Sequence, residues 1–257
     1  MKAVMFETRS DPASGVVLVA HGLNNKPEVM NSLIDVLRAE GFHCLRISLH
    51  DRAVKRLSPA VIADGWLDTF TSAYGRLTHD YPSLPIYNLS YSLGALTTIR
   101  FLDMHPTVKF ERMILIAPPV AFTRSASLVR FLTPLAQFGL VLPSAAPREV
   151  RARWGTPLKE YVAMLEISKD VQTLRNADEL EAIPTEIVLD PDDELVSYSG
   201  VLSWLEAQHL DTWTSYRLPE RQPEGRTYAH LMVLEKSLGS STWLTLTERI
   251  IKHLKTV

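Results

Sequence analysis

Ile86-Tyr87-Asn88-Leu89-Ser90-Tyr91-Ser92-Leu93-Gly94-Ala95 is the stretch from which the fold is read. A β-rich apolar run ends in a five-residue Ser-x-Ser-x-Gly, and a helical pattern starts at once and stops before Pro106. That succession is the context of a nucleophile elbow, whose usual form is Gly-x-Ser-x-Gly. The turn is so tight that the residues flanking the nucleophile must be small. Gly94 meets this requirement, and Ser90 replaces the first glycine with a small polar side chain. A serine serving only as a helix N-cap would look the same locally, so its partners must decide. A frame centred on Ser90 instead, residues 88–92, contains no glycine, which favours Ser92 as the nucleophile.

Outward from this stretch, short β-rich runs alternate with longer helical patterns, as in a parallel sheet covered by helices. The spacing predicts strands at 16–20, 44–48, 86–90, 113–117, 185–189 and 213–217, with an antiparallel edge strand at 4–8. Several are almost continuously apolar, as strands buried on both faces are. Helices are expected over 27–40, ended by Gly41, and over the stripe Ile62, Trp66, Phe70, Tyr74 and Leu77. Others are expected over 93–104, around Tyr161, Val162, Leu165 and Leu174, and over 243–254.

The chain has 257 residues, 46% of them apolar and 22% charged, with net charge −2. These values describe a globular chain and exclude disorder. Cys44 is the only cysteine, so neither a disulfide scaffold nor a cysteine-built zinc site is available. No basic stripe suited to nucleic acid and no apolar run long enough for a bilayer is present. The first residues, Met1 to Glu7, do not read as a secretory signal, so a cytoplasmic enzyme or binding protein is expected. The other histidines lack paired ligand spacing, and no glycine-rich cofactor loop occurs. No linker divides the chain, which reads as one domain over 1–257.

Two partners for Ser92 follow in order. Asp190-Pro191-Asp192-Asp193-Glu194-Leu195-Val196 comes after the strand at 185–189, and Tyr228-Ala229-His230-Leu231 precedes the last helix. Singly, an acidic turn and a lone histidine are commonplace. Serine, acid and histidine at strand ends, in that order, form the succession of a hydrolytic triad.

On these residues the chain resembles the α/β-hydrolase superfamily, in its serine-esterase and monoacylglycerol-lipase-like branch. The resemblance extends to Val16-Val17-Leu18-Val19-Ala20-His21-Gly22-Leu23, similar to the strand and His-Gly loop that supply an oxyanion hole. It implies a mostly parallel sheet with helices on both faces, and Ser92, Asp193 and His230 as a triad, with Asp192 as the second choice of acid. It also implies the backbone N–H groups of Leu23 and Leu93 as oxyanion donors, with His21 orienting their loop. The implied reaction is hydrolysis of a small-molecule carboxylic ester, monoacylglycerol-like or short-chain, with no cofactor and no metal. A thioester, amide or carbon–carbon bond would suit the same triad, and a ligand-binding protein without turnover is a further alternative. Two positions depart from the pattern: Ser90 and Asp190 stand where glycine is usual.

About 40 residues, 118–157, interrupt the alternation, and a cap or lid insertion is expected at about 121–157. Phe131, Leu132, Leu135 and Phe138 are its candidates for a substrate pocket, although such a stripe can equally be a satellite core. Arg148, Arg151 and Arg153 beside Trp154 read as an anion site or, more simply, a solvated face. Asn24 and Asn25 are expected to help begin the helix that follows them.

Overall fold

A computed structural model describes residues 2–50, 56–221 and 228–256. The elements in chain order are β1 (Lys2–Phe6), β2 (Gly15–Ala20), α1 (Asn31–Ala39), β3 (Phe42–Ser48), α2 (Pro59–Asp80), β4 (Ile86–Tyr91), α3 (Leu93–Met104) and β5 (Met113–Ile116). They continue with β6 (Val141–Pro143), β7 (Gly155–Pro157), α4 (Leu158–Asp170), α5 (Ala177–Glu181), β8 (Thr185–Leu189), α6 (Tyr198–Ala207), β9 (Thr214–Arg217), α7 (Glu235–Leu238) and α8 (Ser240–Lys255). Among the described residues, no helix is long and apolar enough to cross a membrane.

Seven strands form one sheet in the order β1-β3-β2-β4-β5-β8-β9 among the described residues. Only β1 runs antiparallel, pairing Lys2 with Ser48 and Phe6 with Cys44; the other neighbours are parallel. The sheet is thus the mostly parallel α/β arrangement expected from the alternation. Residues of β2, β4 and β5 are all buried, which explains their unbroken apolar runs. α1 contacts α8, whereas α2 contacts both α3 and α4. The chain leaves β2 toward β3 on one side and β4 toward β5 on the other. Ligands in open α/β sheets bind at such a reversal, beyond the carboxyl ends of the strands. Those ends are Ala20 and Tyr91, directly before the two loops singled out in the sequence.

Element boundaries move for local reasons. The helix expected at 27–40 opens with a 3₁₀ turn, Pro27–Met30, and becomes α-helical at Asn31. Gly41 ends it with φ +96°, a conformation that side chains rarely adopt. Ala117 leaves its strand with φ +48°. The edge strand is displaced two residues toward the N-terminus, and α6 and the short β6–β7 hairpin were not anticipated.

Residues 118–157 are not an irregular loop. They contain a 3₁₀-helical stretch, Ala126–Phe138, followed by the antiparallel pair β6–β7. At its start the segment is stitched to the turn after β8, by the Phe122–Val196 bridge and by Thr123 N–H donating to Leu195 O at 3.0 Å. Near its end it is stitched to the turn after β2, through an Asn25–Arg151 bridge. It therefore lies along the carboxyl edge of the sheet and is anchored on both sides of β4.

Candidate active site

Ser92 sits between β4 and α3 with φ +52° and ψ −118°. A non-glycine residue in this region carries strain on the order of 1–3 kcal/mol, which the surroundings must hold in place. Its N–H donates to Ile116 O at 2.8 Å, and its carbonyl accepts the first helical bond, from Leu96 N–H at 3.0 Å. Its side chain makes no capping bond to α3, so the N-cap alternative does not describe what its hydroxyl does. Glycine is required at 94 because an added Cβ would lie 2.8 Å from Ala20 Cβ and 2.9 Å from Ala20 O. Ser90 is tolerated because its hydroxyl has a partner: Thr98 Oγ1 lies 3.0 Å away and also bonds Gly94 O.

His230 bridges Ser92 and Asp193. Its Nε2 is 2.8 Å from Ser92 Oγ, and its Nδ1 is 2.8 Å from Asp193 Oδ2. A carboxylate only accepts hydrogen bonds, so Nδ1 carries the proton in the neutral ring. Nε2 is then a lone pair aimed at the serine hydroxyl, the arrangement general-base chemistry requires. Asp193 is fixed in turn, its Oδ1 accepting from the N–H groups of Leu195 (2.8 Å) and Val196 (2.9 Å).

The remaining acidic residues of this turn divide their roles. Asp190 is buried and faces Arg221, whose Nε is 2.6 Å from its Oδ2, while its Oδ1 accepts from Asp192 N–H. Burial outweighs the arginine and pushes the Asp190 carboxyl above its usual range. Asp192 is exposed, and the carboxylate that meets His230 is that of Asp193. Glu194, which the sequence did not single out, accepts from the consecutive N–H groups of Ala229 (2.8 Å) and His230 (2.9 Å). Tyr91 completes the support: its hydroxyl donates to His230 O at 2.8 Å, and the two rings lie 5.3 Å apart. Burial, followed by Asp193 and Glu194, raises the Tyr91 phenol well above its ordinary value.

The loop after β2 closes against the elbow. A Cβ on Gly22 would lie 3.0 Å from Ser92 Cβ and 3.0 Å from Tyr91, so a side chain there would crowd the elbow. The Gly22 carbonyl accepts from His21 Nδ1 at 2.8 Å and from Asn25 N–H at 3.3 Å. A trans peptide points its N–H opposite its carbonyl, so these bonds fix the direction of Leu23 N–H. Among the described residues, neither Leu23 N–H nor Leu93 N–H has an acceptor. His21 is fully buried, accepts from Leu49 N–H at Nε2, and has its pKa lowered to about 3, first by burial and then by His50. It is a neutral brace for the loop and lies outside the Ser92–His230–Asp193 chain.

Other sequence expectations fall elsewhere. Asn24 and Asn25 do not cap the following helix; Lys26 holds that position, without a side-chain cap. Asn24 is instead turned toward the inserted segment, because both ends of its amide find backbone partners at Arg153. Arg153 pairs with the buried Glu160, and Arg151 donates to Ser144 O, so two of the three arginines are engaged within the protein. Phe131, Leu132, Leu135 and Phe138 are exposed by 70%, 38%, 40% and 73%, on the 3₁₀ stretch rather than in an enclosed cavity. A groove of about 560 Å³ on that stretch is lined by Pro134, Ala136, Ser58 and Lys159, among others, and by none of those four.

A family model described as serine aminopeptidase, S33, matches residues 11–180, about two thirds of the chain. No curated protein matches the sequence. Among solved structures, a soluble variant of monoglyceride lipase from Saccharomyces cerevisiae superimposes with a TM-score of 0.74 at 10% identity, covering 98% of this chain and 90% of that one. Monoacylglycerol lipase from Paleococcus ferrophilus gives 0.67 at 16% identity, covering 98% of each. Est1E from Butyrivibrio proteoclasticus with ferulic acid gives 0.61 at 17% identity, covering 99% and 96%. At these identities the likeness is one of fold, the α/β-hydrolase fold.

Proposed function

The chain belongs to the serine aminopeptidase S33 family of α/β-hydrolases, and from that premise we propose that it cleaves carboxylic esters through Ser92, His230 and Asp193. The observation that carries the reading is the pair of 2.8 Å contacts through which His230 joins Ser92 to Asp193. A serine hydroxyl is a weak nucleophile until an adjacent base takes its proton. His230 takes that proton as Ser92 attacks the ester carbonyl, then delivers it to the departing alcohol. Asp193 holds the ring tautomer and stabilises the imidazolium. Water, deprotonated by the same imidazole, then releases the acid from the acyl-enzyme. The N–H groups of Leu23 and Leu93 receive the oxyanion, where loss of one donor typically costs about 2.7–4 kcal/mol.

Residues 121–157 act as a cap in this reading, with Phe131, Leu132, Leu135 and Phe138 offering apolar surface to an acyl chain. Monoacylglycerol-like or short acyl esters are the proposed substrates. The test treats the wild type and Ser92→Ala with a fluorophosphonate and then assays p-nitrophenyl esters of increasing acyl length. Labelling and turnover that both vanish in Ser92→Ala support the assignment; equal labelling of the two proteins refutes it. The family's description favours a second reading, hydrolysis of an aminoacyl amide by the same triad. Turnover of aminoacyl p-nitroanilides in preference to the esters would establish it.

A further inference from the structure

We propose that Asn24 is a positioning residue, which uses the inserted segment to hold the Leu23 N–H on the oxyanion of the reaction proposed above. Residues 22–25 form a turn closed by Asn25 N–H donating to Gly22 O, and Asn24 occupies its third position with φ +54°. A positive φ there is served most cheaply by glycine and next by asparagine. A turn needing only that conformation leaves the side chain without work. Here the amide is buried, and both its ends are used. Oδ1 accepts from Arg153 N–H at 3.0 Å and Nδ2 donates to Arg153 O at 3.1 Å. The side chain thereby imitates a peptide unit paired to a strand.

The main chain extends the same seam. Asn24 O accepts from Ala152 N–H at 2.7 Å, and Lys26 N–H donates to Val150 O at 2.8 Å. Residue 24 is therefore held at three points by a segment that arrives about 130 positions later in the sequence. Its neighbour on the N-terminal side is Leu23. His21 sets one side of the Gly22–Leu23 peptide through the Gly22 carbonyl, and the seam sets the other side through the turn. An oxyanion donor acts through its aim, since its bond strengthens only as charge develops on the substrate oxygen. Loosening the seam therefore lowers kcat and leaves ground-state binding alone.

The experiment measures kcat and KM for a short p-nitrophenyl ester in wild type, Asn24→Gly, Ala152→Pro and the double variant. Asn24→Gly removes the amide but keeps the turn's backbone preference. Ala152→Pro removes the opposing N–H without altering the oxyanion loop, and reads the same seam should the first variant fold poorly. Each is expected to lose about 10- to 100-fold in kcat, below the 10²–10³ typical of deleting a donor outright, with KM within about twofold. The double variant is expected to lose less than the product of the single losses, because both act on one seam. Wild-type kcat in the two single variants, or losses confined to KM, overturns the proposal. It rests on the ester-hydrolase reading, and the two fail differently. An unlabelled, inactive wild type refutes the triad, whereas a labelled, active wild type with an indifferent Asn24→Gly refutes only the seam.

Discussion

Asp193 and Asp192 are adjacent, yet their surroundings assign them different consequences on substitution. Asp193 accepts three hydrogen bonds, from His230, Leu195 and Val196, whereas Asp192 lies exposed. Asp193→Asn would present an amide in place of a pure acceptor and favour the wrong imidazole tautomer; a loss of about 10⁴ in kcat is expected, as in comparable triads. Asp192→Asn is expected to retain kcat within about twofold in the same steady-state assay, because exposed sites seldom matter by more than about 0.5 kcal/mol. That Ser92 and His230 would meet was legible in the sequence because their flanks carry the elbow pattern and the serine–acid–histidine order. Glu194 was not, because an acidic residue in a turn looks solvated until the N–H groups of Ala229 and His230 are seen to meet it. Asn24 was hidden for the same reason: its partner, Arg153, is close only in space.

At the scale of elements, β4 and α3 are packed so tightly against β2 that one methyl decides the outcome. Gly94→Ala would drive a carbon to within 2.8 Å of Ala20, in a sheet centre without slack. Overpacking of this kind costs about 1–3 kcal/mol, to be read as a lowered urea midpoint. The 3₁₀ stretch Ala126–Phe138 behaves in the opposite way. Phe131→Ser and Phe138→Ser are expected to leave that midpoint within about 0.5 kcal/mol, since both rings already face solvent. The central strands and the main helices were readable because continuous burial leaves continuous apolar runs. The extra hairpin was not, because three-residue strands leave no period to read, and the stripe on this stretch did not tell that its side chains face solvent.

For the whole molecule, the buried titratable groups set how stability follows pH. His21 has its pKa held at about 3, below the ordinary 6.5, so the folded state binds its proton less readily than the unfolded chain does. Its contribution to stability is therefore present above about pH 6.5 and is lost as pH falls from there toward 3, with a slope of up to about 1.4 kcal/mol per pH unit. Urea midpoints of wild type and His21→Asn across pH 5 to 7 should differ in slope, with the variant the flatter. Cys44 lies buried in β3, and burial pushes its thiol up to about 12. Reaction with a thiol reagent at pH 8 is expected only on unfolding, so its rate reports global opening.

The order of strands in the sheet has a consequence in time. Ser92 follows β4, Asp193 follows β8, His230 arrives after β9, and the loop facing them leaves β2. No contiguous portion of the polypeptide holds all four, so under the proposed function a nascent chain still lacking the residues after β9 lacks its base and turns over nothing. During refolding, catalysis should return no earlier than the protection of Cys44.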